Sequence, residues 1–127
     1  MTRKSIIIIA TMLYILLITL LSLINISQKE NSIDITYLDK IIHFCFYFGL
    51  NTLLLLLREV IGRNRRLLGA VAITFVTILY GAGIEAVQHF VGRDFDIFDI
   101  AANSVGAIVA LPLFMWFRCV AFNKVGV

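Results

Sequence analysis

Asp39, His43, Tyr47 and Asn51 recur at every fourth position, which sets them along one slowly rotating stripe of a helix. Glu85, Gln88 and His89 share a face of a later apolar segment, and Asp99 and Asn103 share a face of the next. Lys40 directly follows Asp39, while Arg93 and Asp96 lie between the last two groups. An imidazole among carboxylates is the material of general acid–base chemistry: His43 as base, Glu85 or Asp99 orienting it, Arg93 stabilising an anion. The same set also makes a binding site, in which Lys40 and Arg93 meet a phosphate or carboxylate. No serine shares these faces, so a serine acyl-enzyme is not expected. Cys45 is expected to be buried on a different face from His43. His43, Glu85, Asp99 and His89 are metal-ligating types, but neither a CxxC pair nor a structural zinc spacing is present. No metal and no cofactor are expected.

Most of these residues also have an ordinary role to fill. Tyr47 suits an interfacial aromatic anchor, and Asn51 and Asn103 suit hydrogen bonds between helices. Asp39 and Asp99 are placed to cap helices, His89 to be solvated, and Arg93 to pair with lipid phosphate or Asp96. Glu85 has no such role. A carboxylate inside a span costs about 2.5–3.5 kcal/mol and faces a partner or a wet cavity. Its available partners are His43, Arg93, Lys40 and a protonated aspartate.

Four stretches must position these residues. Residues 5–28, 41–57, 67–92 and 100–117 together hold one carboxylate, Glu85, and no lysine or arginine. The chain of 127 residues is 61% hydrophobic and 15% charged, with a mean hydropathy of +0.97. A soluble domain carries about 25% charge, so a soluble fold, a disordered chain and a secreted disulfide scaffold are excluded. About 20 apolar residues, rising about 1.5 Å each, cross a hydrocarbon layer about 30 Å thick. The expected fold class is all-α: one polytopic membrane domain of four transmembrane helices in an antiparallel bundle. The helices are expected at about residues 6–26, 41–58, 67–91 and 100–118. The segment from Asn31 to Asp39 alternates polar and apolar residues and is expected to lie along the outer surface. Pro112, the only proline, falls inside the fourth span, where Ala102, Gly106 and Ala110 allow close helix approach.

Charge sets the orientation. Arg3, Lys4, Arg58, Arg63, Arg65, Arg66, Arg118 and Lys124 fall on one side of the spans, and Lys29, Lys40 and Arg93 on the other. Positive-inside bias then makes both termini cytoplasmic and places the polar residues near the outer end. The net charge of +3 is an orientation signal and implies no nucleic acid. The apolar run from Ile6 to Ile26 exceeds a signal-peptide core, so a retained helix is expected. Cys45 and Cys119 fall toward opposite ends of their spans, too far apart for a disulfide.

The runs DKIIHFCFYF (Asp39–Phe48) and IEAVQHFVGRDFDIFDIAANSVGA (Ile84–Ala107) resemble the VanZ-like family of small bacterial membrane proteins. That family's pattern is D-K-x-x-H-x-x-x-[YF], then E-x-x-Q, a G-R loop, and D-x-x-x-N-x-x-G opening the last helix. Asp39, Lys40, His43 and Tyr47 match the first part, and Glu85 and Gln88 the second. Gly92, Arg93, Asp96, Asp99, Asn103 and Gly106 match the rest. One departure is the short loop, which lacks a proline often found before G-R. The resemblance implies a multi-pass protein of the bacterial cytoplasmic (inner) membrane with a role in the cell envelope. The family includes a protein associated with low-level resistance to the lipoglycopeptide teicoplanin.

Three functions stay open at this point. The first is an outward-facing polar pocket in the outer leaflet that binds a lipid-linked or lipoglycopeptide ligand and contributes to glycopeptide resistance. The second is an intramembrane enzyme acting on a lipid-linked cell-wall precursor through His43, Glu85 and Asp99. The third is a small proton-coupled carrier, with Glu85 as its relay. The candidate partners are membrane lipids, such a precursor or lipoglycopeptide, and a second copy of the chain in a homo-oligomer.

Overall fold

The structure, a computed structural model, describes residues 2–24, 33–62 and 66–124. Lys29, Asn31, Ser32, Arg63 and Arg65, which enter the expectations above, lie outside the described residues. Among the described residues there are four helices and no strand: α1 (Arg3–Leu23), α2 (Ile33–Ile61), α3 (Leu67–Phe90) and α4 (Ile97–Lys124). Each helix is long and apolar enough to cross a membrane. α1 opens on Thr2, whose Oγ1 accepts from the Ser5 amide at 3.2 Å.

α1 starts three residues before its expected bound, and α2 and α4 run beyond theirs at both ends. α2 begins at Ile33, so residues 33–39, part of the segment expected along the outer surface, are helix. A short alternation does not fix a period, and no glycine or proline interrupts the chain from Ile33 to Phe48. Continuing the helix also satisfies its backbone groups internally at the membrane boundary. α4 begins at Ile97 and passes through Pro112 to Lys124 as one helix. The proline removes a single ladder donor, which the rest of the helix tolerates.

α2 occupies the middle, with its closest packing against α4. Gly106 makes that approach possible. A Cβ there would collide with the carbonyl oxygen of Phe44 and press on the Phe48 amide. Ala107 and Ala110, both buried, continue the small-residue seam. α1 packs through Ile18, which meets Tyr47 and Leu50. It is pinned by Tyr14 Oη donating to the Phe46 carbonyl at 3.3 Å and by a Thr19–Tyr80 hydroxyl pair at 2.6 Å. Arg118 pairs with Glu59 at 2.7 Å, joining the C-terminal ends of α2 and α4. The opposite end of the bundle holds the polar residues.

A second polar layer crosses the middle. Asn51 is fully buried, donates to Thr74 Oγ1 at 3.0 Å and the Ala107 carbonyl at 2.8 Å, and accepts from Thr77 at 3.1 Å. Its expected part in bonding helices together is therefore met, on three helices at once. Asn51→Leu keeps the branched outline but removes all three bonds. We expect it to lower stability by about 1–3 kcal/mol. Thermal unfolding in detergent checks this, and an unchanged melting temperature would contradict it.

Candidate functional site

The polar end is assembled by two helix termini and the turn between them. α3 ends where the Gln88 carbonyl accepts from the Val91 and Arg93 amides at 3.0 and 3.1 Å. Gly92 then takes φ +88°, a left-handed conformation that favours glycine. That reversal brings Arg93 back toward α1, where its Nη1 donates to the Ser22 carbonyl at 2.8 Å. Gln88 Nε2 donates to the same carbonyl at 2.7 Å. Asp96 caps α4, its Oδ1 accepting from the Phe98 amide at 2.8 Å.

Lys40, from α2, reaches across to this cap. Its Nζ donates to Asp96 Oδ2 at 2.6 Å and to Asp99 Oδ1 at 2.5 Å. Burial alone would raise the Asp96 carboxyl, but the Lys40 ammonium and the Phe98 amide hold it below the usual carboxylate range. One layer deeper, His43 Nδ1 lies 3.0 Å from Asn103 Oδ1. A carboxamide oxygen only accepts, so Nδ1 is the donor in this contact. Nε2 faces Asp99 Oδ2 at 3.7 Å and Asp39 Oδ1 at 3.9 Å. On the other side of the ring, Glu85 Oε1 stands 3.9 Å from Nδ1. Glu85 is 0% exposed, and neither of its oxygens has a hydrogen-bond partner. The Tyr47 hydroxyl and Asn103 Nδ2 are likewise buried and unbonded.

The stripes from α2, α3 and α4 thus meet one another. Asp39, Lys40, His43, Asp96, Asp99 and Asn103 form the cluster, with Glu85 against its floor. Several details differ from expectation. Asp39 lies well inside α2 and Asp99 inside the first turn of α4, so neither is the cap; Asp96 is. Lys40 bonds the aspartates and Arg93 a carbonyl, while His43 stands 3.9 Å from Glu85. Tyr47 is buried against Tyr80 and Gly81 rather than anchored at an interface. Gln88 ties α1 to the end of α3. His89 is exposed, edge-on to Phe90. Cys45 is exposed rather than buried, because a residue two places after His43 points to the opposite side of α2.

Sequence reasoning overlooked Ser22, which contributes only a backbone carbonyl and so leaves no side-chain signal. It also passed over Thr19 and Tyr80. The α1 face of Thr11, Ile18 and Ser22, all buried, was the available hint. At the other end of the bundle lies an apolar cavity of about 420 Å³, lined by Leu54, Leu57, Ile61 and Ile73 among others, well removed from the cluster.

Residues 2–118 of the chain match the family model described as VanZ/LLP1. No curated protein and no solved structure matches the chain.

Proposed function

Because this chain belongs to the VanZ/LLP1 family, we propose that its polar end takes up the headgroup of a lipid-linked cell-wall precursor or an acylated lipoglycopeptide. The site lies in the outer leaflet of a bacterial cytoplasmic membrane. One observation carries the reading. Glu85 is buried in an apolar bundle with both oxygens unbonded, a cost that the fold itself does not recover. Arg93 and Lys40 stand near the rim and meet phosphate, while the carboxylates accept from sugar hydroxyls. Entry requires the Lys40 pairs with Asp96 and Asp99 to part. Resistance to teicoplanin follows if the protein holds the drug or sequesters the precursor.

Retention of a polyprenyl-pyrophosphate-linked sugar by the purified protein in nanodiscs, compared with the free polyprenol, tests this. We expect a preference of about tenfold or more, reduced in Arg93→Gln. Equal retention of the two lipids would overturn the reading.

A second reading, an enzyme acting on the precursor, is favoured by the convergence of three carboxylates on His43. Turnover of labelled precursor, lost in His43→Ala, would identify the enzyme. Binding without turnover would identify the binding protein. A proton-coupled carrier has less support, since the layer around Asn51 offers amide and hydroxyl groups but no carboxylate or imidazole.

The proposal needs the polar end outside and both termini in the cytoplasm, as the charge bias requires. With Cys45→Ser and Cys119→Ser as background, Ser32→Cys in intact cells should react with an impermeant maleimide. Arg65→Cys should not. The reverse pattern would invert the orientation and remove the outer-leaflet site.

A further inference from the structure

We propose that Asp39, His43 and Asp99 bind one divalent metal ion, Zn²⁺ or Mn²⁺, at the polar end of the bundle. The binding of the ion stands on geometry alone; its role rests on the headgroup reading above.

His43 Nδ1 donates to the Asn103 oxygen, so in the neutral ring Nε2 is the acceptor. The atoms it faces, Asp39 Oδ1 and Asp99 Oδ2, are acceptors too. One ligand atom from each residue lies within 4.8 Å of the other two, and in the neutral form of His43 none of the three carries a donor hydrogen. Lys40 serves the other oxygen of Asp99, Oδ1. An arrangement of mutually facing lone pairs is what a cation orders. The Asn103 bond has the form of the outer contact that fixes the tautomer of a metal-bound histidine.

Glu85 supplies an independent sign. Its carboxylate is completely buried, unbonded, and directed at the same imidazole from behind. One imidazole nitrogen with carboxylate oxygens is a donor set that suits zinc or manganese. Ligands bound at about 2.0–2.2 Å on a tetrahedral centre stand about 3.5 Å apart. The cluster reaches that by closing about 1 Å, and Asp39, with a side chain 42% exposed, is free to move.

With the ion in place an anionic cluster becomes one that accepts an anion. Its open positions would take a phosphate oxygen of the headgroup, beside Arg93. His43 then acts as a ligand, since Nε2 cannot both hold a metal and take a proton. The sequence pairs His43 with Asp99 as ligating types but leaves Asp39 out, because its position suits a helix cap.

The test uses the full chain, purified in detergent, stripped with a chelator and dialysed against ZnCl₂ or MnCl₂ alone, with no lipid ligand. Elemental analysis should find about one ion per chain. Asp39→Asn, with Asp99→Asn as a second variant should the first express poorly, should weaken binding at least tenfold. Asp94→Asn, the exposed acid of the adjacent loop, should leave it unchanged. A stoichiometry near zero in the wild-type protein, or equal behaviour of Asp39→Asn and Asp94→Asn, overturns the inference. The two readings fail separately. Metal bound without precursor retention removes only the headgroup reading, and retention without metal removes only this one.

Discussion

A Glu85→Gln variant is expected to melt at a higher temperature than the wild-type protein while losing retention of the lipid-linked precursor. The stability half follows from burial. Glu85 is 0% exposed, its oxygens accept no hydrogen bond, and His43 Nδ1 stands 3.9 Å away. Placing a carboxylate in a span costs about 2.5–3.5 kcal/mol, and no hydrogen bond to that side chain offsets it. Glutamine keeps the shape and removes the charge, so a gain of about 1 kcal/mol is expected. The functional half follows from the same fact. A charge that contributes nothing to packing acts on what enters the cluster, and retention should fall by about tenfold or more. His43→Ala and Asp99→Asn should lose function as well, but with reduced stability, since Asn103 and Lys40 lose bonded partners. Full retention in Glu85→Gln would show that the charge is dispensable. A lower melting temperature would make Glu85 part of the structural network.

Substituting alanine at two glycines should move stability in opposite directions. At Gly106 the new methyl group meets backbone, the Phe44 carbonyl and the Phe48 amide, so α2 and α4 must separate along their main seam. Overpacking of this kind costs about 1–3 kcal/mol, and backbone cannot rotate aside as a side chain does. Gly106→Leu should prevent a folded bundle from being recovered. At Gly83 nothing lies within 4 Å of the new methyl. Gly83→Ala should therefore add about 0.5–1 kcal/mol through helix propensity alone. Thermal unfolding of both variants in one detergent decides the matter. Shifts of the same sign would mean that the seam does not set the packing.

The helices were legible because charge is nearly absent from four long stretches, and lipid leaves the backbone few other solutions. The stripes were legible because four-residue spacing survives in any helix, wherever it begins. What failed was local. A helix start shifted to Ile33 turned Asp39 from a cap into a mid-helix carboxylate 3.9 Å from His43, and one shifted to Ile97 gave the cap to Asp96. Pairing was the other blind spot. Periodicity places Lys40 and Glu85 at one depth, but it cannot say that Lys40 prefers the two aspartates and leaves Glu85 unbonded. The contribution of α1 was hidden for a third reason, because its decisive group is a main-chain carbonyl.

That carbonyl has a consequence for biosynthesis. Ser22 lies in the last turn of α1, where carbonyls have no partner further along the helix. Its two donors, Gln88 and Arg93, follow 66 and 71 residues later in the chain. The ribosome therefore delivers the acceptor long before either donor, and α1 waits in the membrane with one end untied. Only when the third connection has emerged can Arg93 and Gln88 fasten that end, and the turn that fastens it also carries Asp96 to Lys40. Helix docking and rim closure are thereby timed together, late in translation.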